Sequence, residues 1–148
     1  MFRIGVTAGF VVSLLALLAA CGAVATPPAD SQAAAVPLVG TIWSLTEMQG
    51  EQVPEDNSMS AQFEDDGTLL GEAGCNTYQT TYEAGDSELV IDPAFQSTDK
   101  ECESTVMEAE SIYLASLQRA ASFEIEDEVM FIRDGDETVI LVYGVGTE

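Results

Sequence analysis

Three cysteines, Cys21, Cys75 and Cys102, carry the sharpest intrinsic chemistry in this sequence, because a thiolate can be acylated, oxidised to a disulfide or bound to a metal. No Cys-x-x-Cys spacing occurs and the 148 residues include no histidine, so a redox dithiol and a Cys/His zinc site both lack their partners. The same absence removes Ser-His-Asp and Cys-His catalysis. Carboxylates are the other reactive class, with 26 Asp plus Glu against 4 Lys plus Arg and a net charge of -22. They gather at Glu64-Asp65-Asp66-Gly67, Glu124-x-Glu126-Asp127-Glu128 and Asp134-Gly135-Asp136-Glu137. Calcium could suit such groups, but none has EF-hand spacing and each coincides with an expected turn, so they read as solvated hairpin tips. No metal or other cofactor is expected. Among 26 acids some pair always has a glycosidase-like arrangement, so that signal is empty and no enzyme activity is expected. Nucleic acid is excluded as a partner, because four basic side chains cannot neutralise a phosphate backbone.

Cys21 has a context of its own. Arg3 precedes an apolar run, Phe10 to Leu18, which ends in Leu18-Ala19-Ala20-Cys21-Gly22. The run is short for a membrane span, and small residues directly before a cysteine match a bacterial lipoprotein signal. Residues 1–20 are therefore expected to be a cleaved leader and Cys21 an acylated N-terminus. Several acyl chains, each burying methylenes at about 0.8 kcal/mol apiece, would make that anchor permanent. Residues 21–37 hold the cysteine and a stretch from Ala23 to Pro37 dominated by Ala and Pro, with Ser, Gln and one Asp, and read as a flexible tether. The remaining chain would carry 3 basic and 26 acidic side chains, a charge of -23, and should stand off an anionic bilayer. The expected location is the extracytoplasmic side of a membrane in the cell envelope, the outer membrane where the host has one, since Gly rather than Asp follows the cysteine.

A composition that is 47% apolar leaves room for one core, in a domain read as 38–144. Thr41, Trp43 and Leu45 alternate within Leu38–Thr46, as do Met59, Ala61 and Phe63 up to the turn at Asp65-Asp66-Gly67. The polar stretch between them, Gln49 to Ser58, reads as a loop. Extended pieces follow at Thr68–Glu72, Asn76–Glu83 and Ser87–Ile91, with Tyr78, Thr80 and Tyr82 on one face. The period then lengthens to 3.6. Cys102, Val106, Ala109, Tyr113, Leu117 and Ala120, with Ile112 beside them, form one helical stripe, while Glu103, Glu108, Glu110 and Gln118 are placed on other faces. Thr98 with Glu101, or Thr105 with Glu108, could cap this helix, acids suit its first turn, and Arg119 suits its end. Strands at Ser122–Glu126, Val129–Arg133 and Thr138–Tyr143 complete the order. One helix inside a run of hairpins predicts an α+β, mainly β fold: an antiparallel, partly open barrel of about seven to eight strands plugged by the helix.

The residues that fill this frame resemble the META domain, the family that includes HslJ of bacteria. The resemblance runs from Leu38 to about Tyr143. It rests on Gly40-Thr41-x-Trp43-x-Leu45, on Phe63 followed by Gly67, on Gly71-x-x-Gly74-Cys75-Asn76-x-Tyr78 with Tyr82, and on Thr98-x-x-x-Cys102 ahead of the helix. Asp99-Lys100-Glu101 departs from the methionine-rich stretch usual before the second cysteine, which bears on helix-start packing. The resemblance implies a small antiparallel barrel with a helix, similar to pilotin lipoproteins. It also implies an envelope role tied to heat shock and novobiocin resistance, and brings no catalytic residue.

Export would place Cys75 and Cys102 where disulfides persist, so the two are expected to pair, with two buried thiols as the alternative. Trp43, Phe63, Tyr78 and Tyr82 could line a pocket at the barrel mouth, or simply form core. Asn76 is expected to satisfy turn backbone groups through its side chain. The functional expectation is a membrane-anchored, non-enzymatic binding or assembly module with an envelope protein partner. The alternative is a carrier of a small molecule or lipid in the barrel interior.

Overall fold

The computed structural model describes residues 37–54 and 58–146. The expected leader 1–20, Cys21 and all but the last residue of the 21–37 tether lie outside the described residues. Ten strands and one helix follow in the order β1 (Ile42–Met48), β2 (Glu51–Gln52), β3 (Ser60–Phe63), β4 (Thr68–Glu72), β5 (Thr77–Ala84), β6 (Leu89–Ile91), β7 (Gln96–Ser97), α1 (Ser104–Leu117), β8 (Ala120–Glu126), β9 (Val129–Asp134) and β10 (Val139–Val145). Eight strands form one antiparallel path, β6-β5-β4-β3-β1-β10-β9-β8, with β2 paired to β1 and β7 to β5. The ends of the path meet through a single bridge, Glu88 to Ser122, where the Phe123 N–H also donates to the Ser87 carbonyl at 2.8 Å. The result is a nearly closed eight-stranded barrel.

Alternation decides which side chains enter it. Trp43 and Leu45 of β1, Ala61 and Phe63 of β3, Leu69 of β4, Met130 and Ile132 of β9 and Tyr143 of β10 all point inward and are buried. Tyr113 and Leu117 bring α1 into the same core. The acidic tips are turns: Thr68 N–H donates to Asp66 at 2.9 Å, Asp127 and Glu137 take left-handed backbone angles, and Asp134 receives main-chain N–H bonds from Asp136 and Thr138 at 3.1 Å. Among the described residues no three Asp, Glu or Cys side chains converge as a metal would need.

The helix differs from expectation at both ends and along one side. Its N-cap is Glu103, whose side chain makes no cap bond, and no acid lies in its first turn. Arg119 lies past its end and pairs with Asp134 of β9. Glu110, placed by its charge on another face, is buried beside Tyr113, while Cys102 and Ile112 are exposed. Glu51–Gln52 falls inside the segment read as a loop and Gln96–Ser97 in a stretch given no element, since a pair of residues is too short to show any period.

Candidate functional site

The four motif residues Gly74, Cys75, Asn76 and Thr98 come together at the turn between β4 and β5. Gly74 holds φ at 105°, a conformation that a side chain resists, and this lets the turn double back under the helix. Cys75 and Cys102 form a disulfide across 27 residues, tying the turn to the coil that leads into α1. Asn76, only 3% exposed, uses its whole amide. Its Oδ1 accepts from the Thr98 hydroxyl and the Lys100 N–H, both at 2.8 Å, and its Nδ2 donates to the Lys100 carbonyl at 3.3 Å. From the helix, Glu110 accepts the Asn76 main-chain N–H at 2.9 Å, its Nδ2 at 3.0 Å and the Cys75 N–H at 3.3 Å. A carboxylate buried this far would be costly alone; three donors, two of them main-chain, satisfy it. The motif is thus a fastener made of a covalent bond and a saturated polar knot.

A second buried polar group occupies the barrel interior. Tyr143 donates to the Tyr113 hydroxyl at 3.1 Å, and Tyr113 and Tyr78 lie 3.1 Å apart at their oxygens. Both Tyr113 and Tyr78 reach the Ser60 carbonyl at 2.9 Å. Ser60 can turn that carbonyl inward because Gly71 opposite has no side chain: a Cβ there would sit 2.1 Å from the oxygen. The Glu72 N–H bonds the Ser60 hydroxyl at 3.1 Å. Burial pushes all three phenols well above their ordinary range, and a neighbouring phenol raises each further. For Asp134, burial raises the carboxyl, but the Thr138 and Asp136 N–H groups and Arg119 outweigh it and the net shift is downward.

Of the two readings open for Trp43, Phe63, Tyr78 and Tyr82, a pocket at the barrel mouth or core, the residues take the second: three belong to the core and Tyr82 packs against it. Trp43 and Phe63 are fully buried in a filled core, and the Trp43 indole N–H donates to the Leu38 carbonyl at 3.2 Å. Tyr82 packs edge-on against Phe63 and gives its hydroxyl to the Glu64 carbonyl at 2.8 Å. Inward alternation puts Phe63 against Tyr82 and Tyr78 against Phe95 and Tyr113 rather than around a mouth, and Tyr78 also borders an outer depression. That depression, about 580 Å³, is an outer groove over β3, β4, β5 and β7. A smaller cleft of about 360 Å³ runs between Pro54, Met59, Gly74 and the helix residues Val106 and Ala109.

Reading the sequence misses Glu110 and the three-tyrosine chain. Glu110 sits at helical spacing with Val106, Tyr113 and Leu117, so its position gave the signal that its charge obscured. The tyrosines are 30 and 35 residues apart and nothing local links them.

A small antiparallel barrel, plugged by one helix and fastened at a Gly-Cys-Asn turn, defines the class of protein. The META domain family model matches residues 36–144, and the chain belongs to that family. Among solved structures it is similar to a protein from Burkholderia xenovorans determined by NMR, with TM-score 0.61 and 20% identity, covering 75% of this chain and 85% of that one. A second NMR structure matches with TM-score 0.56 and 17% identity, covering 71% and 88%. A crystal structure of a DUF4847 family protein from Bacteroides vulgatus ATCC 8482 matches with TM-score 0.54 and 14% identity, covering 75% and 96%. At these identities the likeness is one of fold. No curated protein matches the chain.

Proposed function

We propose that the chain is a lipid-anchored META-domain protein of the cell envelope, acting as a non-enzymatic binding or assembly module in envelope maintenance or stress response. One observation carries the non-enzymatic part. The buried polar side chains Asn76, Glu110 and Asp134 and the three core phenols bond to one another or to the main chain, so they serve the fold and leave recognition to the outer surface. Anchoring rests on Leu18-Ala19-Ala20-Cys21 and the tether that follows. The partner in this reading is an envelope protein. The carrier reading loses its basis, because Trp43, Phe63, Leu117, Tyr113 and Tyr143 fill the interior in which a lipid would lie.

The test is metabolic labelling with an alkyne fatty acid in the native host, followed by cross-linking and affinity capture. Label in the wild type and none in Cys21→Ala is the expected result, with one protein captured in stoichiometric amount. Equal labelling of both forms would overturn the anchor, and capture of a tightly held lipid in place of a protein would restore the carrier.

A further inference from the structure

The outer groove contains a row of side chains set by strand register. Ile42 of β1 is opposite Gln62 of β3, Gln62 opposite Leu70 of β4, Leu70 opposite Gln79 of β5, and Gln79 opposite Gln96 of β7. These five residues line one depression on the outside of the sheet. At about 4.8 Å between strands, the row is roughly 19 Å long and crosses the strands at right angles. It alternates aliphatic and amide groups over most of its length. Ser60, Thr77, Ser97 and Thr98 flank it with hydroxyls, and Glu72 is the one charged residue in the groove. The Gln62 side-chain amide donates to the Glu64 carboxylate at 2.6 Å, and among the described residues no hydrogen bond engages the side-chain amides of Gln79 and Gln96.

We infer that this row is a binding site for a neutral oligosaccharide, laid across the strands with its hydroxyl or acetamido groups on Gln79 and Gln96 and its ring faces on Leu70 and Ile42. The charge distribution points to this occupant. A chain of net charge -22 disfavours anionic polymers, and cationic ones are drawn to the carboxylate-rich turns before a groove holding a single acid. A neutral polymer bears no such cost. Side-chain amides supply a donor and an acceptor from one planar group, which suits a ligand carrying many hydroxyls. A peptide that added a strand would need a free main-chain edge; β3, β4 and β5 have partners on both sides, and β7, paired on one side at the end of the row, offers an edge only two residues long. The site stands on the barrel alone and is independent of the N-terminal anchor.

Titrating the isotope-labelled full chain with chitotetraose, and separately with maltotetraose, tests the site by amide chemical shifts. The expected result is shifts confined to the Gln62, Leu70, Gln79 and Gln96 neighbourhood with at least one sugar. Each glutamine amide removed should weaken binding about fivefold, the worth of one net hydrogen bond. The Gln79→Ala/Gln96→Ala variant should therefore bind about 25-fold more weakly with an unchanged fold, since both side chains are exposed. Absence of shifts with both sugars overturns the proposal, as do shifts that persist undiminished in the double variant. A neutral Gly-Ser peptide that produces the same shifts where the sugars do not would also overturn it, in favour of a peptide ligand.

Discussion

Asn76 and Glu110 are 34 residues apart in sequence, and the Glu110 carboxylate grips both the main-chain N–H and the side-chain amide of Asn76, at 2.9 and 3.0 Å. This pair makes the helix a fixed part of the barrel. Glu110→Ala would leave the Asn76 and Cys75 donors buried without an acceptor. The expected cost is about 2 to 4 kcal/mol in urea unfolding, with Glu110→Gln costing less because one oxygen remains.

The disulfide acts on the same turn by another route. Closing a loop of 27 residues lowers the entropy of the unfolded chain, so Cys75→Ser/Cys102→Ser should lose about 3 to 4 kcal/mol. Unfolding of the wild type with and without a thiol reductant should show the same gap, and a gap near zero would mean that the polar knot alone holds the turn.

Gly71→Ala should be as damaging as a core truncation. The added methyl meets the Ser60 carbonyl carbon and oxygen, which are main chain and also anchor Tyr78 and Tyr113. Overpacking of this kind costs about 2 to 3 kcal/mol, read from the urea midpoint. Ordinary stability in that variant would show that β3 and β4 separate freely at Ser60.

Alkaline titration should proceed in two stages. The four tyrosines are Tyr78, Tyr82, Tyr113 and Tyr143, and in all of them burial comes first among the causes that raise the folded value. For the three core phenols the unfolded state ionises near the ordinary value of about 10, below the folded state. The stability they confer is therefore complete below about pH 10 and falls as pH rises beyond it. Absorbance at 295 nm should show one phenolate, Tyr82, followed by three that appear together with loss of circular dichroism. Independent ionisation of all four would contradict the bonded core chain.

Acid should act through Asp134. Its folded value lies below the ordinary carboxyl value, so its contribution is present above about pH 4 and disappears as pH falls through the folded value. Asp134→Asn should flatten that part of the acid stability curve, and an unchanged curve would assign the loss to other carboxylates.

Much of this architecture is legible in the residues. Met59, Ala61 and Phe63, and Tyr78, Thr80 and Tyr82, mark faces that the barrel uses, because a two-residue period is enforced by the pleat itself. Turn chemistry at Asp66-Gly67 and Asp134-Gly135 is equally local. What stayed hidden depends on distance in sequence. The partners of Glu110 lie in a turn 34 residues earlier, and without them a carboxylate in a helix reads as solvent-facing. Trp43 and Phe63 read more readily as core than as pocket, and only the register of the opposite wall decides whether space remains between them. The same holds for the outer groove, where Gln62, Gln79 and Gln96 are unremarkable until pairing sets them in line.

The pairing of β1 with β10 also bears on how such a chain can come into being. The first and last strands are neighbours in the sheet, with the Thr46 hydroxyl bonded to the Val142 carbonyl across 96 residues. A polypeptide emerging N-terminus first must therefore hold β1 with one edge unfilled until nearly the whole domain has been delivered, and only then can the wall be completed. Through that interval Trp43 and Leu45 lack Val145 and Tyr143, the residues that face them across the seam, so the last strand to arrive is the one that seals the first.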